Sequence, residues 1–495
     1  MNIMFNIRVA VMLPLFVTLF FNVSGQERVS PESQGVSSKD VKECFDSLMN
    51  IAHGEVHDVV VMRHGKVLAE LCPKPFVPEY RHTLYSVSKT FVGVAVGLAI
   101  DENRLRLTDR VATFFPEMMP DSISVNLAAM TVRDLLTMTS GVTPDWNMRN
   151  VQEHWLKYFF GKPVQKPGVE FKYDSMASYV LSAIVQRVTG MKVIDYLNKK
   201  VFSVLNINDA EWECSPEGIS AGGWGLRLSA LSMAKFGQLL LDKGRWNGVQ
   251  VVSEEWVRLM MSEQQVTSDG GFYGFHIWKH DGVDGAYRAD GAFGQYIIIA
   301  PKEDMVVSVT QSNRGNGIIE RRLIDSLIIR KAQNVVLKEG KDLKLLRAAL
   351  QKYTMPLVGG KASLGKFSVF EGEEIWFADN DMGWKSMSLK KKGNVLNISI
   401  GAQDGKRISV EAGNKEWRTL FTDVCPPYSI KAKCRFEGIS RNFAVAACYG
   451  REKDALVIKI LFPDWISGVV LTITEKNGFL NIEAKENFKK NSYKL

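Results

Sequence analysis

Ser86-Val87-Ser88-Lys89 places a hydroxyl and an amine three residues apart, just ahead of the apolar run Thr90-Phe91-Val92-Gly93-Val94-Ala95-Val96-Gly97-Leu98-Ala99-Ile100. On a helix that begins near Ser86 the two side chains share a face, at the end where the helix dipole is positive. A serine hydroxyl is a weak nucleophile until a neighbour takes its proton, and a neutral lysine can do so. A free lysine titrates at about 10.4, so the site has to lower that value by burial or nearby positive charge. The pattern points to covalent catalysis through an acylated serine. Ser-x-x-Lys alone is a weak signal, and the rest of the chain has to corroborate it.

Three further stretches could complete such a site. Pro167-Gly168-Val169-Glu170-Phe171-Lys172-Tyr173-Asp174-Ser175 reads as a turn that delivers Tyr173 and Ser175 to the mouth of a helix over 179–188, stopped by Gly190. Tyr173 could serve as a base or proton relay if the lysine charge lowers its phenol from about 10; core packing is the ordinary alternative. Asp174, between the two, is expected to face away. Tyr287-Arg288-Ala289-Asp290-Gly291-Ala292-Phe293-Gly294-Gln295 opens a hairpin with 296–300 and 305–310, and its glycines allow close approach of backbone to a ligand. The loop from Thr137 through Pro144-Asp145-Trp146 reads either as the rim of a binding site or as a plain surface excursion.

The elements that must position these residues follow from patterning. An amphipathic helix over 40–51 leads to a hairpin at 58–71 with His64-Gly65 as its turn. Thr131 and Asp134 form a capping-box variant ahead of Val132. Gly222-Gly223-Trp224-Gly225 is a flexible loop feeding a helix over 230–243, with Ser229 as N-cap. No Lys-Ser/Thr follows those glycines, which discounts a phosphate cradle. Another helix is expected over 254–261 and one over 317–333. Beyond 334 a charged linker helix (336–352) gives way to short alternating runs, among them Phe367-Ser368-Val369-Phe370, separated by turn signals such as Asp404-Gly405 and Asn477-Gly478. That pattern predicts a small antiparallel β-domain, a barrel or sandwich, over 353–495.

Length and composition bound the function. The 495 residues suit two to three domains, and 46% hydrophobic with 23% charged residues is an ordinary globular balance. The net charge of +8 comes from interleaved basic and acidic residues with no Lys/Arg block, so no nucleic-acid surface is implied. Residues 1–25 read as a secretory signal, with Arg8 ahead of an apolar stretch and Val23-Ser24-Gly25 before a cut. The expectation is an exported protein, periplasmic or secreted, without stable membrane insertion after cleavage. None of the six cysteines forms a Cys-x-x-Cys pair, and no metal or organic cofactor is implied. Buried thiols are the simplest reading, although the three late cysteines could supply a disulfide. His53 and His57 read as parts of a solvated turn rather than a metal pair.

Together these pieces resemble the serine β-lactamase and penicillin-binding-protein superfamily. The nearest branch is the class C β-lactamase-like hydrolases: carboxylesterases, D-amino-acid peptidases and 6-aminohexanoate-dimer hydrolases. The match covers roughly 34–333 and rests on Ser86 to Lys89, Thr131 to Gly141, Pro167 to Tyr173, Gly222 to Gly248 and Gly291 to Gln295. It implies a β-lactamase/transpeptidase-like mixed α/β domain over 26–335, with an antiparallel sheet flanked by helices and a helical subdomain. It also implies that Ser86 carries the acyl group, that Lys89 with Tyr173 moves its proton, and that the backbone N–H groups of Ser86 and Ala292 hold the oxyanion. Ser175, Asp290, Gly291 and Trp146 would then contact substrate.

Two departures from the family pattern bear on specificity. Ser175 stands where the second motif usually has asparagine. Ala289 and Asp290 stand where the third usually has a cation followed by Thr or Ser. A missing cation and an added carboxylate disfavour the acidic group of β-lactams and D-alanyl-D-alanine. They favour neutral or cationic small molecules or short peptides: simple esters, amides, amino-terminal peptides. The expectation is an exported serine hydrolase, with acyl transfer to an alcohol or amine as a variant. The alternatives are a penicillin-binding protein, D-alanyl-D-alanine carboxypeptidase or β-lactamase, and a non-catalytic binding protein on the same scaffold. Oligomeric state is not legible.

Overall fold

The computed structural model describes residues 26–52, 54–150, 153–428 and 435–495. The leader expected at 1–25, His53 and Cys434 lie outside the described residues.

Eight antiparallel strands form the first sheet, in the order Lys66–Leu71, Gly54–Arg63, Met305–Asn313, Gln295–Ala300, Tyr287–Gly291, Trp278–Lys279, Phe272–Tyr273, Gln265–Val266. Side chains alternate across it. Val60, Met62, Ile297, Ile299 and Val306 join one core with the helices Ser88–Asp101, Ser175–Thr189 and Ala230–Leu241. Val59, Val61, Ile298, Val307 and Val309 join another with Ser38–Met49 and Ile318–Ile324. Burial on both faces is why the strand sequences are continuously apolar instead of alternating.

The expected hairpins are present, as are the Thr131/Asp134 capping box, the Ser229 cap of Ala230–Leu241 and a left-handed Gly190 closing Ser175–Thr189. Three local expectations are corrected. The helix over 317–333 is Ile318–Ile324 followed by a π-turn at Asp325–Ile329. Phe367 to Phe370 is not a strand but part of the 3-10 turn Gly365–Phe370, closed by the Ser368 hydroxyl donating to the Gly365 carbonyl at 2.8 Å. His57 is buried, because its strand starts at Gly54 rather than Asp58. Its Nδ1 lies 2.9 Å from Nε2 of His82, its ring stacks on Phe76, and desolvation lowers its pKa to about 3.

The second sheet has ten strands from Ile375–Trp376 to Tyr493–Lys494 around its own core. Asn477 and Gly478, both at positive φ, turn one of its hairpins as their types require. The sheet is antiparallel except where Arg407–Asn414 meets Phe443–Glu452 in parallel. There the chain reverses after Asn414, and Arg418–Thr422 pairs antiparallel with the rest of that same edge, Phe443 to Ala447. The helix Lys341–Leu350 packs Leu346 into the core beneath Ser38–Met49. Five described cysteines (Cys44, Cys72, Cys214, Cys425, Cys448) are free thiols.

The helix Ser88–Asp101 is buried from Ser88 to Ala99, so it has no solvent face to tolerate misfit. Gly97 leaves room for the Trp256 ring, whose indole N–H donates to the carbonyl of Gly93 one turn earlier at 3.1 Å. A methyl at Gly97 would sit 2.2 Å from that ring. Gly97→Ala is therefore expected to lose roughly 1–3 kcal/mol by overpacking, despite the gain of up to about 1 kcal/mol that alanine brings to a helix. Urea unfolding followed by tryptophan fluorescence measures this, and a midpoint at or above wild type would mean that the space at Gly97 does not confine the ring.

Candidate active site

Ser86 lies in the single 3-10 turn Tyr85–Val87, immediately before the buried helix rather than inside it. Tyr85 adopts φ +48°, a conformation rare for a bulky residue, and its side chain is anchored in the core of the second sheet. The turn is thus pinned from both sides, by the helix that follows and by the tyrosine that precedes.

Lys89 is 1% exposed. Its ammonium donates to Ser86 Oγ at 2.8 Å, to Ser175 Oγ at 3.0 Å and to the Gly223 carbonyl at 2.7 Å. Buried charge needs such partners. The geometry also suits the neutral amine, which can donate two N–H to Ser175 and Gly223 while its lone pair faces Ser86. Ser175 is therefore a partner of the lysine, in addition to standing in the family's second motif. Gly223 reaches this place only because it lacks a side chain: a methyl there would lie 2.6 Å from the Ser175 carbonyl.

Tyr173 stands beside Ser86, whose hydroxyl acts on its phenol, and its ring lies 4.8 Å from Lys89 Nζ. The expectation that lysine charge lowers this phenol is corrected. Burial raises its pKa above the usual tyrosine range, the Ser86 hydroxyl offsets this only partly, and Asp290 raises it further. The residue is a neutral hydroxyl, fit to relay a proton rather than to hold a phenolate. Trp278 and Tyr273 pack against its ring. Beside it opens a basin of about 540 Å³ lined by Phe171, Trp278, Pro144, Thr143 and Asp269. Trp146 stands 56% exposed at a small cavity that it shares with Ser175 and Trp224.

In the third motif, Ala289 turns into the core, and Asp290 accepts from Arg288 Nε at 2.9 Å. Arg288 also meets Asp281 at 3.1 Å. The expectation that Asp290 presents an uncompensated negative charge is corrected by this pairing: residues two apart on a strand share a face. Burial raises the Asp290 carboxyl, and Arg288 pulls the other way. Gly291 packs so closely on the nucleophile's turn that a methyl would lie 2.4 Å from the Leu84 carbonyl. This contact brings Ala292, the next residue, beside the turn that carries Ser86.

Two participants carried no readable signal. The Gly223 carbonyl belongs to the backbone. His276 sits behind the lysine, its Nε2 2.9 Å from Ser178 Oγ and its Nδ1 3.1 Å from the Leu136 carbonyl. Burial, with Lys89 nearby, lowers its pKa to about 3, so it is neutral.

The family model described as Beta-lactamase matches residues 43–327. A 6-aminohexanoate-dimer hydrolase of Paenarthrobacter ureafaciens is 28% identical over 276 residues, covering 50% of this chain and 70% of that protein. Protein flp of Staphylococcus aureus (strain N315) is 26% identical over 144 residues, 28% of this chain and 29% of its own. Among solved structures, that of SurE with D-Leu covers 86% of this chain and 98% of its own, with TM-score 0.51 and 16% identity, a likeness of fold.

Asp174 caps the helix Ser175–Thr189 through Oδ1, which accepts from the Met176 N–H at 2.9 Å, while Oδ2 is buried without a hydrogen bond. Burial pushes its carboxyl up to about 6. A folded value above the unfolded one means that the folded state holds the proton more tightly, so the charge costs stability at neutral pH and stability is regained as pH falls through that range. Asp174→Asn is expected to be more stable than wild type at pH 7 by on the order of 1–2 kcal/mol, with the difference vanishing near pH 4. Denaturant midpoints at both pH values decide it, and a constant difference would contradict the assignment.

Proposed function

The chain belongs to the Beta-lactamase family, whose homologues are serine hydrolases, and on that premise we propose that it cleaves neutral esters or amides of small molecules or short peptides through an acyl-enzyme on Ser86. The observation that carries this reading is the 2.8 Å contact between Ser86 Oγ and a buried Lys89 held by Ser175 and Gly223.

In the first step neutral Lys89 takes the Ser86 proton, and Oγ attacks the substrate carbonyl carbon. The oxyanion lies between the N–H groups of Ser86 and Ala292, donors whose loss typically costs about 10²–10³ in rate. Collapse breaks the bond to the leaving oxygen or nitrogen, which receives a proton from Lys89 through the Tyr173 hydroxyl. Water, or an alcohol or amine acceptor, then attacks the acyl-enzyme with the same groups acting in reverse. Ala289 turns into the core and brings no cation to the third motif, which favours substrates without a carboxylate there, while Asp290, paired with Arg288, adds little repulsion of its own. The ring-lined basin beside Tyr173 favours an apolar group on one side of the scissile bond. The relative named as a 6-aminohexanoate-dimer hydrolase supports a small-molecule substrate. The signal-like pattern at residues 1–25 supports action outside the cytoplasm.

The decisive comparison is hydrolysis of short-chain p-nitrophenyl esters by wild type, Ser86→Ala and Lys89→Ala. Both variants are expected to fall by at least about 10³-fold, and Tyr173→Phe by roughly 10²-fold. Equal rates in wild type and Ser86→Ala would remove the acyl-enzyme and favour the binding-protein alternative.

A further inference from the structure

We infer that Glu213 is a positioning residue through which the second sheet sets the proton-transfer geometry of Lys89, an inference that rests on the acyl-enzyme reading. Glu213 follows the short strand Glu211–Trp212 and is 1% exposed. Its backbone spans the glycine loop: its N–H donates to the Gly225 carbonyl at 3.0 Å, and its carbonyl accepts from the Ala221 N–H at 2.8 Å. Gly225, at φ +91°, is pressed against the glutamate side chain, where an added methyl would lie 2.8 Å from its Cβ. Between those two ties stands Gly223, whose carbonyl holds Lys89.

The side chain of Glu213 is held by Tyr428 and Phe436, which lie between the strands Arg418–Thr422 and Phe443–Glu452 and pack with the second sheet's core. Tyr428 OH donates to Oε2 at 2.8 Å, and the Phe436 N–H donates to Oε1 at 2.8 Å. A backbone bond from Cys214 N–H to the Glu437 carbonyl, at 2.8 Å, reinforces the junction. Next to it buried Arg227 bonds Glu211 at 2.9 Å and the Asp464 carbonyl at 2.8 Å. A buried carboxylate stripped of its donors bears the desolvation cost of charge. The loop's position therefore depends on Tyr428 and Phe436, far along the chain.

The consequence falls on Lys89. A carbonyl acceptor favours the ammonium over the amine, and Tyr173, Asp174 and neutral His276 are among the titratable groups that face the lysine. Loosening the strut lets the Gly223 carbonyl drift, which lowers the lysine's proton affinity and misaligns it with Ser86.

The test uses the full-length protein and three variants: Tyr428→Phe, Glu213→Gln, and Tyr449→Phe as control. Tyr449 OH donates to the Ala362 carbonyl within the second sheet's own surroundings, away from the loop. Tyr428→Phe and Glu213→Gln are expected to lower kcat for a p-nitrophenyl ester by roughly 10- to 100-fold. KM should stay unchanged, and the acidic limb of the kcat profile should move to lower pH. Tyr449→Phe should match wild type. In parallel, the Lys89 Nζ signal of 15N-lysine-labelled protein, assigned by its loss in Lys89→Ala, should titrate at lower pH in the first two variants only. An unmoved lysine titration in both, or the same change in Tyr449→Phe, overturns the inference. Absence of Ser86-dependent turnover in wild type instead overturns the acyl-enzyme reading, and the lysine titration still decides this one.

Discussion

An amine buried to 1% exposure is the constraint to which the rest of this structure answers. It needs oxygens around it, and those that hydrogen-bond it include ones from its own helix entrance, from the start of Ser175–Thr189 and from a glycine backbone in the 222–225 loop. None of these acceptors is an acid. A carboxylate in contact would stabilise the ammonium and hold the lysine charged, whereas hydroxyls and a carbonyl satisfy it without committing it to one protonation state. The neutral state of His276 fits the same logic, since a second cation behind the lysine would disturb the balance, and burial prevents it.

The two cores of the first sheet serve this arrangement differently. The face that holds Ser88–Asp101 sets the depth and direction of the helix through tight glycine contacts, whereas the opposite face supplies bulk apolar packing. The second sheet meets the site at the turn before Ser86, where Tyr85 enters its core, and at Ala292 and Phe293, which pack against that core. It is part of the frame around the nucleophile rather than a separate appendage.

Much of the fold was legible because it rests on local rules. The Thr131 capping box, the Ser229 cap, the Gly190 stop and the Asn477-Gly478 turn each depend on a few neighbouring residues. The Ser86/Lys89 pair was legible for the same reason, since three-residue spacing at a helix start brings the groups together wherever the exact first turn falls. The misreadings concern environment. Tyr173 was expected to feel mainly the lysine, but desolvation is a property of everything packed around it and outweighs one charge. His57 reads as solvated only if its strand begins at Asp58, whereas the strand begins four residues earlier, at Gly54. The Asp290 pairing was readable in principle, as Arg288 lies two residues away on the same strand. The Gly223 contact was not, because a carbonyl leaves no trace in residue type.

The close approach of Gly291 to the Leu84 carbonyl has a kinetic consequence. That contact joins segments about two hundred residues apart, and long-range closures form late because loop entropy must be overcome first. On the proposed chemistry, the nucleophile exists as soon as its helix forms, but its oxyanion donors converge only when this strand docks. A partly folded chain would carry the serine and lysine without the means to stabilise an attack. Activity would then be one of the last properties to emerge during folding and one of the first to vanish when the molecule loosens.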